Sequence, residues 1–149
     1  MEDNKQKSDA ELAPSAATPP SQTTCVLLVE DDRSLRRFLE VTLQRAGYRV
    51  IGAGDGVEAM KLAFSNDIDV VVTDAIMPHL SGQQLAAFIR NNPKVANVPI
   101  ILLTGQENKA AATPTDVSID AFLYKPVNAD ELKTCIENCL SKANDQPSN

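Results

Sequence analysis

Five short, almost continuously apolar runs recur along the chain, at residues 25–29, 49–53, 70–73, 100–103 and 121–124. Their Val, Ile and Leu content is typical of strands that are covered on both faces, as in a parallel sheet. Segments with helical periodicity separate the runs. This alternation predicts that strands and helices follow one another along most of the chain.

The segments between the runs carry apolar residues at three- and four-residue spacing, which predicts amphipathic helices. Gly47 and Pro93 are placed to end two of these helices, and Asn128 is placed to cap the last one. The predicted apolar stripes are Leu35, Phe38, Leu39, Leu43 and Ala46; Val57, Met60 and Phe64; Leu85, Phe88 and Ile89; and Leu132, Ile136, Cys139 and Leu140.

Repeated strand-helix units between residues 25 and 143 predict one α/β domain with a doubly wound, five-stranded parallel sheet and right-handed crossovers. Residues 1–24 are rich in Pro, Ser, Thr and Ala and poor in large apolar side chains, so we expect a disordered tail there. Residues 144–149 are similarly polar, and we expect a second short tail. In a doubly wound sheet the functional site lies outside the carboxyl ends of the strands.

Charge and composition argue against several classes of protein. A formal charge of -6 leaves no basic face for phosphate contacts, so we expect no nucleic-acid binding. The apolar runs are far shorter than the roughly 20 residues that cross a bilayer, so we expect no membrane insertion. The chain has no visible secretory signal, and its three cysteines include no CxxC pair, so we expect a reducing cytoplasm.

Polar residues follow four of the five apolar runs. Because the carboxyl ends of neighbouring parallel strands meet, these side chains are expected to converge. Clustered carboxylates repel one another unless a cation neutralises them, and oxygen ligands of this kind suit Mg²⁺. A central carboxylate near a metal and a lysine can attack phosphorus. The residues concerned are Glu30, Asp31 and Asp32 after the first run, Asp74 after the third, Thr104 after the fourth, and Lys125 after the fifth.

Each of these features alone has an ordinary structural explanation. A Glu-Asp-Asp run is usually a solvated turn or a helix cap, Asp74 and Thr104 could each be turn residues, and Lys125-Pro126 is common in loops. Their placement at the same end of successive predicted strands favours a functional site.

Four stretches together resemble the receiver domain of two-component response regulators, and the resemblance covers residues 25–143. They are Val-Leu-Leu-Val-Glu-Asp-Asp from residue 26, Asp-Ala-Ile-Met-Pro-His-Leu-Ser-Gly at 74–82, Ile-Ile-Leu-Leu-Thr at 100–104, and Phe-Leu-Tyr-Lys-Pro at 122–126. The resemblance implies a flavodoxin-like, CheY-like fold with strand order 2-1-3-4-5.

The resemblance also implies roles for individual residues. Asp74 would accept a phosphoryl group from a phosphohistidine on a histidine kinase or a histidine phosphotransfer protein. Thr104 and Lys125 would contact the phosphoryl oxygens, and a cis bond would join Lys125 to Pro126. Asp32 would cap the first helix instead of binding metal. The Mg²⁺ ligands would be Asp31, Asp74, the backbone carbonyl of Ile76 and, through water, Glu30.

The expected conformational switch couples Thr104 to an aromatic residue on the fifth strand, which is Phe122 by resemblance. Phenylalanine cannot form the hydrogen bond that tyrosine could, so a switch here would depend on packing alone. The implied output is contact with another protein, whose identity the sequence leaves open. A phosphorylation-dependent dimer is a further implied form of output.

The chain departs from the family pattern between the fourth and fifth runs. No apolar residue larger than alanine occurs between Gln106 and Asp116, and Pro114 would end a helix. We therefore expect the fourth helix, within residues 106–118, to be short, displaced or mobile. Ile76 and Gln106 are expected to flank the path of attacking water, and the apolar Ile76 predicts slow self-hydrolysis.

Three hypotheses about function follow. The first is a stand-alone receiver that signals by protein contact and catalyses only its own phosphorylation and dephosphorylation. The second is a phosphotransfer intermediate or phosphate sink that uses the same chemistry at Asp74. The third is an interaction module that no longer uses phosphorylation. A cofactor-binding enzyme ranks last, because no GxxxxGK or GxGxxG loop is present.

Overall fold

The computed structural model describes residues 23–105 and 119–145. They form five strands and four helices: β1 (Cys25–Val29), α1 (Arg33–Arg45), β2 (Arg49–Ala53), α2 (Gly56–Ser65), β3 (Val70–Asp74), α3 (Gly82–Arg90), β4 (Ile100–Thr104), β5 (Ala121–Tyr124) and α4 (Ala129–Asp145). All five predicted strands are confirmed, and β3 and β4 each extend one residue further, to include Asp74 and Thr104. No helix in the described residues is both long and apolar enough to cross a bilayer.

Three predictions concern the limits of the domain and its connection to β5. The predicted short or mobile helix at 106–118 and nearly all of the predicted N-terminal tail lie outside the described residues. At the other end, α4 continues to Asp145, two residues beyond the predicted limit of the domain.

The strands form one parallel sheet in the order β2-β1-β3-β4-β5, as the resemblance implied. Val29 of β1 pairs with both Ala53 of β2 and Thr73 of β3. Thr104 of β4 pairs with Tyr124 of β5. This register aligns the carboxyl ends of the strands, so the residues that follow β1, β3, β4 and β5 meet at one end of the sheet.

Two apolar layers cover the sheet. The central strands β1, β3 and β4 are buried throughout, as predicted, whereas the edge strands β2 and β5 are only partly buried because each has a neighbouring strand on one side alone. One layer lies under α1 and α4 and includes Val26, Leu28, Leu39, Leu43, Val70, Val72, Ile101, Leu103, Leu132 and Ile136. The opposite layer lies under α2 and α3 and includes Leu27, Val29, Ala59, Ala63, Val71, Leu85, Ile89 and Ile100. Alternate residues along each strand therefore enter different layers.

In helix α2, the residues that predicted the helix are not the residues that the fold buries. The periodicity of Val57, Met60 and Phe64 correctly predicted a helix, but Val57 is 47% exposed and Phe64 is 55% exposed. The buried face of α2 consists of Gly56, Ala59 and Ala63. Small residues let this helix lie close to its neighbours, so Val57 and Phe64 remain on the outside, while Met60 and Leu62 are partly buried against the core.

Helix ends follow the predicted chemistry. Asp32 caps α1 by accepting a hydrogen bond at Oδ1 from the Leu35 amide, at 3.1 Å. Asn128 accepts one from the Glu131 amide at the start of α4, also at 3.1 Å. Gly47, just beyond α1, has a φ of 100°, a conformation that favours glycine. The assignment of Asp32 to the helix end is therefore confirmed.

Candidate functional site

Backbone hydrogen bonds continue past the strand ends and hold the polar residues in place. The Glu30 amide donates to Ala53 O at 3.0 Å, and the Lys125 amide donates to Thr104 O at 2.8 Å. Glu30, Asp74 and Thr104 are all buried, although each is polar. The predicted convergence of these residues at the carboxyl end of the sheet is therefore observed.

Lys125 connects two of the buried carboxylates. Its Nζ lies 3.0 Å from Asp74 Oδ2 and 3.3 Å from Glu30 Oε1. Burial alone would lower the pKa of Lys125, but the hydrogen bond and charge of Asp74, together with Glu30, outweigh this effect and raise it. The ammonium is therefore held in its charged form beside Asp74. The peptide bond to Pro126 is cis, as the resemblance implied.

Glu30 is only 1% exposed, and its charge is poorly compensated. Oε2 accepts a hydrogen bond from the Asp32 amide at 3.1 Å. Oε1 faces the Lys125 ammonium but has no aligned hydrogen-bond partner. Burial, supported by the nearby Asp74 charge, raises the pKa of Glu30 to about 7, although Asp32 and Lys125 act in the opposite direction. A cation beside this carboxylate would favour its ionised form.

The donor set fits a hard divalent cation. One carboxylate oxygen from each of Glu30, Asp31 and Asp74 lies within 4.8 Å of the others. Asp31 is exposed while the other two are buried, so the group is open to solvent on one side. Mg²⁺ prefers oxygen ligands and keeps several of its waters, so a half-open carboxylate group with an incompletely partnered oxygen suits it.

Two supporting residues were not assigned roles in the sequence analysis. Gly82 donates its amide to Ala75 O at 2.9 Å, and a Cβ at this position would overlap the carbonyl oxygen of Asp74. Arg36 of α1 donates from Nη1 to the Glu30 carbonyl at 2.6 Å. Gly82 belongs to the 74–82 stretch, which was a usable signal, whereas no sequence pattern singles out Arg36.

The predicted switch residues lie on neighbouring strands. Phe122 pairs with Leu102, two residues before Thr104, and partners in the ladder project from the same face. Phe122 and Thr104 are therefore diagonal neighbours on one face of the sheet. Phe122 is half-buried and Thr104 is fully buried. Ile76, the other residue that the resemblance singled out here, is 54% exposed and follows Asp74 by two residues.

Comparisons with known proteins agree with this architecture. Residues 26–137 match the family model described as response regulator receiver domain. The probable transcriptional regulator ycf27 of Guillardia theta is 38% identical over 120 residues, which are 80% of this chain and 46% of that protein. The autoinducer sensor kinase/phosphatase CqsS of Vibrio cholerae is 36% identical over 109 residues, 72% of this chain and 16% of that protein. The chain thus spans about half or less of the length of these relatives.

Solved structures match over nearly their whole length. The chemotaxis protein CheY4 of Vibrio cholerae superposes with a TM-score of 0.72 at 32% identity, covering 79% of this chain and 99% of that one. The receiver domain of the sensor histidine kinase PA1611 of Pseudomonas aeruginosa has a TM-score of 0.73 at 28% identity, with 80% and 98% covered. It is described with a magnesium ion coordinated in the active-site cleft. From its sequence, its sheet order and these matches, the chain belongs to the response regulator receiver domain family.

Proposed function

We propose that this chain is a phosphorylation-controlled signalling module in which Asp74 accepts a phosphoryl group in a Mg²⁺-dependent reaction. The donor is the phosphohistidine of a histidine kinase or a histidine phosphotransfer protein. The phosphorylated domain acts by contact with another protein. The observation that carries the proposal is the buried Asp74 carboxylate, 3.0 Å from the Lys125 ammonium and within 4.8 Å of the Glu30 and Asp31 carboxylates.

The chain's own groups are placed for this transfer. Lys125 holds Asp74 Oδ2, which leaves Oδ1 to attack phosphorus. A bond forms from this oxygen to phosphorus while the bond from phosphorus to the donor imidazole nitrogen breaks, and the nitrogen keeps the electron pair. The ammonium then offsets charge on the phosphoryl oxygens, and the Thr104 hydroxyl donates to one of them.

Asp31, Asp74 and the backbone carbonyl of Ile76 would bind Mg²⁺ directly, and Glu30 would bind it through water, by resemblance. Once bound, the ion would offset negative charge on the transferring phosphoryl group. Asp32 takes no part, because its side chain is engaged at the start of α1. The two adjacent acids, Asp31 and Asp32, therefore have different predicted roles and provide a matched pair for testing.

The test is intact mass spectrometry after incubation with acetyl phosphate and Mg²⁺. Wild type should gain one phosphoryl group and Asp74→Asn should gain none. Asp31→Asn should be modified at least about 10-fold more slowly, through weaker metal binding. Asp32→Asn should behave as wild type, because Asn caps a helix as well as Asp. Failure of wild type to gain mass would instead favour the phosphorylation-independent interaction module.

The exposed, apolar Ile76 favours a signalling switch over a phosphate sink. Its side chain cannot orient a water molecule toward phosphorus, so the phosphorylated form should persist after the donor is removed. The lifetime of the phosphorylated mass peak at neutral pH measures this directly. Loss within seconds would favour the sink, and transfer of the group onward to a histidine phosphotransfer protein would favour the intermediate.

A further inference from the structure

Four apolar side chains line the junction between α2 and α3, and we call them the α2-α3 seam: Val57, Met60, Phe64 and Phe88. Val57 and Phe64 are 47% and 55% exposed, and Met60 lies half-buried between them. The rings of Phe64 and Phe88 meet edge to face, with centroids 5.6 Å apart. Residues 57, 60 and 64 fall on one side of a helix, so the exposed side chains form a continuous stripe.

The exposed members of the seam, Val57 and Phe64, lie outside the core, whereas Met60 and Phe88 are partly buried against it. The core-facing side of α2 is made by Gly56, Ala59 and Ala63, all of which are buried. On α3, Leu85 and Ile89 are buried in the core, and Phe88 packs partly against the core and partly against the ring of Phe64. Large exposed apolar side chains without a core role, here Val57 and Phe64, are typical of an interaction site.

The charges beside the seam are basic, although the chain as a whole carries -6. Lys61 is exposed on α2 between Val57 and Phe64, and it has no ion-pair partner among the described residues. Lys94 lies beside the C-terminal end of α2, where its Nζ donates to the Phe64 carbonyl. The Glu58 carboxylate is directed elsewhere, accepting from the Gly54 amide at 2.7 Å.

We propose that the α2-α3 seam binds an acidic amphipathic helix of a partner protein. The apolar side of the partner helix packs on Val57, Phe64 and Phe88, and its flanking carboxylates pair with Lys61 and Lys94. This is helix-in-groove recognition, in which apolar anchors at helical spacing give affinity and flanking charges give specificity. Binding here does not depend on phosphorylation of Asp74.

A second copy of the chain fits the seam less well. A two-fold contact would place two copies of the seam against each other, so the Lys61 and Lys94 side chains of both copies would lie in one interface. Like charges at an interface oppose association. The basic rim therefore favours an acidic partner of different sequence.

The test uses two fluorescein-labelled synthetic helical peptides with the same leucine stripe, one flanked by Glu and one by Lys, titrated with the full chain. Fluorescence anisotropy should show at least about 10-fold tighter binding of the Glu peptide. Phe64→Ser should weaken that binding by a similar factor. Phe38→Ser is the matched control, because Phe38 is 54% exposed on α1, away from the seam.

Lys61→Glu tests the charge separately and should reverse the preference between the two peptides. Equal binding of both peptides, no binding of either, or an unaffected Phe64→Ser variant would each overturn the proposal. Sedimentation velocity tests self-association. A dimer that Phe64→Ser abolishes, without peptide binding, would assign the seam to a second copy instead. Asp74→Asn should bind the Glu peptide as wild type does, so this test is independent of the phosphorylation test.

Discussion

Leu28 in β1 and Glu30 just after it are equally buried, but burial favours the folded state at Leu28 and disfavours the ionised side chain at Glu30. Leu28 is 0% exposed and packs in the apolar layer under α1 and α4, whereas Glu30, two residues later, is 1% exposed and faces Asp74 and Lys125. Leu28 is stabilised by leaving water. Burial of Glu30 instead raises its pKa to about 7, which shows that the fold holds its ionised form at a disadvantage.

The parts of the molecule that supply stability are therefore distinct from the part that supplies chemistry. The apolar layer lowers the free energy of the fold through burial and close packing. The carboxyl end of the sheet gathers negative charge that the described residues only partly neutralise. A bound cation would remove this disadvantage, so the site is expected to gain stability from its ligand.

The largest expected effect on stability is in the apolar layer. Leu39 of α1 is fully buried there, and Leu39→Ala should lower the free energy of unfolding by about 3 kcal/mol, through lost burial and the cavity left behind. Urea unfolding measures the loss. Phosphorylation of Asp74 should persist under conditions where the variant is folded. A loss below about 1 kcal/mol would mean that this layer is less tightly packed than the structure indicates.

The second largest effect on stability is expected at Gly82, which lies between the apolar core and the polar carboxyl end of the sheet. Gly82→Ala places a methyl group against the Asp74 carbonyl and the Leu102 side chain, so it should destabilise the fold by about 2 kcal/mol and slow phosphorylation. Gly54→Ala is the comparison variant and should have a smaller effect, since its methyl group would meet only the side-chain ends of Arg36, at 3.2 Å, and Glu58, at 3.7 Å, and no backbone atom. Urea unfolding and the rate of mass gain test both variants. Equal effects of the two substitutions would contradict a positioning role for Gly82.

Substitution of Glu30 is expected to raise the free energy of unfolding instead of lowering it. Glu30→Gln removes a charge that the metal-free fold disfavours, so it should raise the free energy of unfolding at pH 8 by about 1–2 kcal/mol. The same substitution should reduce the stabilisation that added Mg²⁺ gives. A destabilised variant at pH 8 would show that the ion pair with Lys125 outweighs burial.

The pH dependence of this difference follows from the raised pKa. A group with a raised pKa in the fold contributes stability that is complete below its unfolded value and is lost as pH rises through its folded value. For Glu30 these values are 4.5 and about 7, so the advantage of Glu30→Gln should grow across this interval in metal-free buffer. Urea midpoints at pH 5 and pH 8 provide the comparison.

The smallest effect on stability is expected at the α2-α3 seam. Phe64→Ser and Phe38→Ser should each change the free energy of unfolding by less than about 0.5 kcal/mol, because both rings are more than half exposed. Thermal unfolding of both variants measures this. A loss of more than about 1 kcal/mol for Phe64→Ser alone would mean that its contact with Phe88 supports the fold as well as the surface.

The strands and the site were largely predictable from local patterns. Strands of a parallel sheet are mostly apolar, so the limits of β1, β2 and β5 could be read directly from the apolar runs. The convergence of Glu30, Asp74, Thr104 and Lys125 followed because carboxyl ends of parallel strands align. The role of Asp32 as the helix cap was also predictable, since capping depends on the position of one residue relative to the helix start.

The burial of α2 and the supports of the site were not predictable in this way. Periodicity shows that α2 is a helix but not which residues face the core. Ala59 and Ala63 recur at helical spacing just as Val57 and Phe64 do, and only the structure shows that the alanines are the buried pair. The contact of Arg36 with the Glu30 carbonyl depends on where α1 packs against the sheet. The overlap that requires Gly82 depends on how closely α3 approaches β3.

The sequence by itself determined the strand runs, the helix caps and the order of polar residues after the strands, because each depends on contacts between near neighbours in the chain. Only the tertiary structure decided that Glu30 lacks an aligned partner at Oε1, that Lys125 bridges two carboxylates and that Phe64 lies outside the core. These properties depend on distances between separate elements, and those distances are set by the packing of all the elements together.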